Sequence, residues 1–268
     1  MKKLLSLLLV LFLWQVSAAQ DNQPLFLMFE FMQVDNEQEA AYSETEQFWS
    51  KIHEQRVNNG DLVGWDFWRL LPGGEMQNFQ YLTVHVYNDP VKMMEGGTLE
   101  SFMESARKAY PDMSEDQLMA KLNGASKTRN LAARIYLSII DQTEGDYDMV
   151  VGSLARINMM KPKPGMAADY VKAEREVFKP QHQKLVDAGQ RGSWALATVM
   201  VPYGTEVYAD YYTFDMYKDF AQMIGEFNYD GAQPTEEQEK AMEEGAATRD
   251  LKFSYTGELL MKFRPPSP

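Results

Sequence analysis

The sequence predicts an α+β fold in which two β-α-β-β-α-β units pack sheet to sheet. Three observations carry this: the chain repeats itself, the hydrophobic period switches in the same order within each copy, and turn residues fall at the same junctions. The repeat comes first. Trp49, His53, Gly60 and Trp65 stand against Phe178, His182, Gly189 and Trp194 at a constant offset of 129. Tyr81–Tyr87 (YLTVHVY) matches Tyr211–Tyr217 (YYTFDMY) at 130. Ser114, Gln117, Ala120 and Gly124 match Thr235, Gln238, Ala241 and Gly245 at 121, and Thr128-Arg129-Asn130-Leu131 matches Thr248-Arg249-Asp250-Leu251 at 120.

Each element then follows from its spacing. Residues 25–34 and 150–160 are apolar and of strand length. Residues 37–59 and 165–188 have helical spacing, and each run stops at a glycine, Gly60 or Gly189, as helix C-termini often do. Pro180 inside the second of these helices predicts a kink. Residues 63–71 and 193–201 read as strands, followed by the hairpin-loop residues Pro72-Gly73-Gly74 and Pro202-Tyr203-Gly204. Return strands are expected over 79–87 and 207–217. A helical region follows in two pieces, 90–108 then 114–123, and 218–227 then 235–244; Ser114 with Gln117 and Thr235 with Gln238 have capping-box spacing. Strands over 131–140 and 251–263 close each copy.

This order is the ferredoxin-like split β-α-β unit. Its helices cover one sheet face and leave the other bare, so two copies can bury their bare faces together. On the repeat and this topology the chain resembles the dimeric α+β barrel superfamily (ABM-like, stress-responsive barrel and EthD-like proteins), with the usual homodimer fused into one polypeptide. The resemblance implies a cofactor-independent oxygenase, an isomerase or a haem-handling protein, with His53, His182, Trp65 and Trp194 as the residues to test.

Composition narrows the options. With 268 residues, 45% hydrophobic and 24% charged, the chain can bury a core without disulfides, and it has no cysteine. A net charge of −13 argues against nucleic acid as a partner. Met1-Lys2-Lys3, an apolar run over 4–14 and the small residues Ser17-Ala18-Ala19 have the pattern of a secretory signal peptide over 1–19. That run is too short for a membrane span, and the absent cysteine excludes a lipoprotein. A secreted or periplasmic protein is therefore expected, with repeats over 20–145 and 146–268, standing alone as a pseudo-dimer or in a higher homo-oligomer.

No HExxH, GxSxG, GxxxxGK[ST] or GxGxxG pattern occurs, and neither a metal site nor a cofactor is expected. His53 and His182 each lie one helical turn beyond an aromatic residue. The structural reading has them packed and bonding the last helix carbonyls; the catalytic reading makes them bases in a cleft between helix and sheet. Alternation puts Tyr81, Thr83, His85 and Tyr87 on one strand face and Tyr211, Thr213, Asp215 and Tyr217 on its counterpart. That face is expected to be a polar layer between the sheets or a pocket wall, with a His85–Asp215 contact across the pseudo-twofold. Glu30, Arg69, Arg134 and Arg156 interrupt strand patterns, so they pair, face an anionic ligand or, as is more common, sit at strand ends exposed to water. Arg129 and Arg249 open the last strands as helix-to-strand anchors paired with an acid. Trp65 and Trp194 start the second strands, where aromatics are mostly core. They are also candidate ligand-binding residues, with Tyr81, His85, Tyr211, Asp215, Arg69 and Arg156. Trp49, Phe67, Trp68 and the 18 methionines could line an adaptable apolar cavity. The expected function is binding of a small molecule between helices and sheet. The alternatives are an enzyme of the barrel superfamily and a non-catalytic envelope interaction module.

Overall fold

The computed structural model describes residues 24–265 other than 75, 230, 232 and 233; the expected signal segment lies outside them. Eight strands close an antiparallel barrel in the order β1-β3-β2-β8-β5-β7-β6-β4. The first half contributes β1 (Phe26–Gln33), β2 (Gly64–Leu71), β3 (Tyr81–Tyr87) and β4 (Asn130–Gln142); the second contributes β5 (Leu154–Pro162), β6 (Ser193–Val201), β7 (Tyr211–Tyr217) and β8 (Arg249–Phe263). Within each half the spatial order is 4-1-3-2, as a split β-α-β unit requires. The halves join edge to edge, β2 to β8 and β4 to β6. Closure leaves no free sheet edge.

The bare faces form the barrel interior. Phe29, Phe31, Trp68, Leu70, Leu82, Val84, Ile157, Met159, Tyr212, Phe214 and Leu259 fill it. The polar face of β3 therefore does not lie between two sheets. It points outward, under the helices, because the apolar alternate residues Leu82, Val84 and Val86 take the interior.

Helix α1 (Glu39–Asn58) runs across this outer face of the first half and ends at Gly60, φ +77°. Its counterpart is broken: α5 (Ala167–Ala173) passes through a π-helical stretch, Glu174–Phe178, into α6 (Lys179–Asp187). Pro180 lies in the first turn of α6, so its missing N–H and its ring fall where the helix register has just been reset. The helical region expected over 90–108 splits at two left-handed glycines, Gly96 and Gly97, into α2 (Pro90–Glu95) and α3 (Leu99–Ala109). Ser114 caps α4 (Glu115–Gly124) and Thr235 caps α8 (Glu236–Ala246), each in a capping box. Asp89 and Asp219 cap α2 and the matching α7 (Phe220–Gly225). Strand β5 starts four residues later than the hydrophobic run at 150 and β7 four later than that at 207; Val150 and Val151 are exposed instead.

Candidate site between the first helix and the sheet

On α1, Trp49, His53 and Arg56 follow one another at helical spacing, so they share one face. That face meets the outward face of β1 and β3, where Met28, Glu30, Met32, Thr83 and His85 alternate with core residues. Between these walls lies a cavity of about 370 Å³, bounded further by Glu46, Met94, Gly96, Phe102, Arg129, Arg134 and Tyr136.

Aromatic stacking positions the histidine. The His53 ring stacks on Trp49 and on Trp65, with centroids 5.6 and 5.0 Å apart, and meets His85 edge-on at 4.8 Å. Arg56 Nη1 lies 3.5 Å from His53 Nδ1. Burial drives the His53 pKa well below its ordinary value, with the charges of His85 and Arg56 acting in the same direction. Burial likewise lowers His85 to about 4 against the pull of Glu30. In the second half His182 stacks on Trp194 at 4.9 Å, accepts from Arg191 Nη1 at 2.5 Å, and is lowered by burial and by Arg191 to about 3. These three rings are all the histidines of the chain. All three are therefore expected to stay neutral down to pH 5. Imidazole nitrogen NMR between pH 5 and 8 checks this: none of the resonances should move, and a midpoint near 6.5 for any ring would show that water reaches it.

The acids are matched to guanidinium groups. Arg134 Nε and Nη2 donate to Glu30 Oε1 at 2.8 and 2.5 Å, and Thr83 Oγ1 donates to Glu30 Oε2 at 3.4 Å. Burial opposes ionisation of Glu30, but the facing His85 and Arg134 hold its carboxyl below the ordinary range. Arg129 Nε lies 3.7 Å from Glu46 Oε1, and burial still pushes Glu46 up to about 7. Arg249 and Glu174 repeat this pair at 3.5 Å in the second half, and burial raises Glu174 too. The anchoring role expected of Arg129 and Arg249 is thus what their geometry shows.

The two halves differ where the cavity lies. By the repeat offset Arg191 stands at the place of Leu62, Asp215 at that of His85, and Glu226 at that of Gly96. Arg191 Nη1 donates to Asp215 Oδ1 at 2.5 Å, while its Nε and Nη2 donate to Glu226 at 2.9 and 2.8 Å. Asn158 Nδ2 donates to Asp215 Oδ2 at 3.0 Å, and the Tyr217 hydroxyl to Glu226 Oε1 at 3.1 Å. An ion-pair network thus occupies the second-half positions of His85 and Gly96, which border the cavity in the first, and of the buried Leu62. The expected His85–Asp215 contact is not formed: the two residues lie in separate helix–sheet layers, His85 against His53 and Asp215 against Arg191.

Other expected site residues are distributed differently. Trp65 and Trp194 are buried supports beneath the two histidines rather than walls of the cavity. Tyr81 packs on Tyr42 and Phe67, and Tyr211 on Tyr170 beside an open surface depression. Arg69 is half exposed, pairs with Glu258 at 2.5 Å and does not line the cavity. Arg156 pairs with Glu226 at 3.8 Å and lies over the Tyr217 and Phe227 rings. Of the suggested cavity residues, Trp49 and three methionines line it, whereas Phe67 and Trp68 are in packed cores. Neither His53 nor His182 stands free as an axial haem ligand would, since each is stacked on indole and held near a guanidinium. Among the described residues no three metal-ligating side chains converge.

No protein-family model and no curated protein matches the sequence. Solved structures do resemble it. A candidate monooxygenase from Fusobacterium nucleatum aligns with a TM-score of 0.56 at 11% identity, covering 90% of this chain and 94% of that one. A candidate monooxygenase from Lactobacillus acidophilus aligns at 0.52 and 12% identity, covering 90% and 96%. An anthrone oxidase-like protein aligns at 0.54 and 10% identity, covering 92% and 95%. Likeness at this level of identity shows the fold, which is that of the dimeric α+β barrel proteins with both halves in one chain.

Proposed function

We propose that this chain is an exported protein that binds a small, partly aromatic molecule in the cavity between α1 and the first-half sheet. The observation that carries the reading is the asymmetry of the repeat. The Trp-backed histidines and the Tyr–Glu–Arg anchors, Tyr42–Glu46–Arg129 and Tyr170–Glu174–Arg249, occur in both halves and serve the fold. Cavity-facing residues such as Met28, Glu30, His85, Gly96 and Arg134 have second-half counterparts in Arg156, Asn158, Asp215, Glu226 and Ser254, which bond to other protein groups. A partly open cleft of this size, lined by Met and aromatic side chains together with several charged and polar groups, suits a small ligand. Export rests on the basic start, apolar run and small-residue end of the N-terminal segment.

The fold neighbours described as monooxygenases and as anthrone oxidase-like support a second reading, in which the cavity also acts on its ligand. The His85 ring, which lines the cavity beside Glu30, is the group that favours it. A ring with a pKa near 4 is a weak base at neutral pH, so hydrogen bonding to a ligand is the role that its ionisation supports better.

Methyl NMR of the methionines tests the binding reading. A panel of small aromatic compounds is expected to shift Met28, Met32 and Met94, which line the cavity, and to leave Met160 and Met223 of the second half in place. A panel that moves none of the five, or moves both groups equally, would remove the proposal.

A further inference from the structure

The cavity wall carries three guanidinium groups, Arg56, Arg129 and Arg134, and two carboxylates that pair with them, Glu30 and Glu46. Arg134 is matched to Glu30 and Arg129 to Glu46. Arg56 is left over. Its residue is only 4% exposed, yet among the described residues no carboxylate pairs with it. Its polar contacts are weak: Nη2 to the Gly96 carbonyl at 3.4 Å, Nη1 to His53 Nδ1 at 3.5 Å, and the Tyr87 hydroxyl alongside. The Phe102 ring lies 4.2 Å from its guanidinium carbon and holds the plane in place. Glu95, the remaining acid on the wall, is exposed, and no ion pair joins it to Arg56.

A guanidinium cannot relieve burial by losing its proton, so an unmatched one keeps its charge wherever it lies. Buried charges are ordinarily paired, and a planar fork of donors fits a carboxylate. The repeat sharpens the point, because the position equivalent to Arg56 is Leu185. Gly97 lies on this wall with φ +93°, a left-handed backbone that favours glycine.

Resting on the binding reading above, we infer that the ligand is an anion, a small aromatic carboxylic acid whose carboxylate is received by Arg56 and whose ring lies among Trp49, Phe102 and Met94. Its far end meets the His85 ring and the Glu30–Arg134 pair, which suit a hydroxyl or amide.

Calorimetric titration of the mature protein with benzoate, 2-naphthoate and indole-3-acetate, each beside its primary amide, tests the inference. The carboxylates are expected to bind at least tenfold more tightly than their amides. Arg56→Met should erase that preference, weakening the carboxylates tenfold or more while changing amide affinity less than about threefold; Arg56→Lys should retain part of it. Amides that bind as tightly as their acids would overturn the anion reading and leave the binding site standing. A preference that survives in Arg56→Met would remove Arg56 from the role. If no acid or amide binds, and the methionine methyls stay still, both readings fall together.

Discussion

Arg191→Leu is expected to destabilise the protein by about 3–5 kcal/mol, the ordinary cost of removing one partner from a buried ion pair. Arg191 is 5% exposed and is the shared partner of Asp215 and Glu226, both nearly buried. Its loss would leave Asp215 without its cation, Glu226 with Arg156 alone at 3.8 Å, and a neutral His182 without its donor. Urea denaturation at pH 7 measures the effect, and a loss below about 1 kcal/mol would show that water screens the network as it screens surface pairs. The first half provides the control. Leu62 occupies the equivalent position there, fully buried among apolar residues, so the architecture accepts a leucine when no carboxylates face it. A triple variant, Arg191→Leu with Asp215→Asn and Glu226→Gln, should therefore recover part of the lost stability.

Much of this was legible in the chain before any coordinates. The repeat offsets put Trp65 over Trp194 and Ser114 over Thr235, and strand alternation separated Leu82, Val84 and Val86 from Tyr81, Thr83 and His85. Alternation cannot say which face closes inward. A polar face under helices and a polar face between sheets have the same period, and only barrel closure through β2–β8 and β4–β6 decides between them. Charges in strands were recognised as needing partners, but their partners came from elements far away in sequence: Arg69 found Glu258, and Arg134 found Glu30 across the β1–β4 ladder.

Two residues that shape the site escaped the sequence reading for a common reason. Arg56 and Arg191 sit near helix C-termini, where a basic residue is ordinary and favourable. The signal that could have found Arg56 was its spacing, seven residues after Trp49 and three after His53, which places a charge on the buried stripe of α1. For Arg191 it was the repeat itself, since an arginine standing where the other copy has leucine marks a change of environment. Gly96 against Glu226 is the same kind of signal.

Glu46→Gln is expected to change the pH dependence of stability more than any other conservative substitution in the first half. Burial pushes the Glu46 carboxyl up to about 7, whereas an unfolded glutamate titrates near 4.3. Between those values the native state holds a proton that the unfolded state has released, so stability falls as pH rises through the window. The difference corresponds to about 4 kcal/mol, absent below pH 4.3 and complete above 7. Glutamine has no such term. The variant should therefore gain about 3 kcal/mol of this relative to the wild type between pH 4.5 and 8.5, read from paired urea titrations, with the histidine contributions cancelling. Parallel profiles would mean that the carboxyl is hydrated and ordinary. The same proton bears on the cavity: below pH 7 Glu46 is neutral, Arg129 joins Arg56 as an unbalanced cation, and affinity for a carboxylate should rise as pH falls from 8 to 6, an increase that Glu46→Gln abolishes.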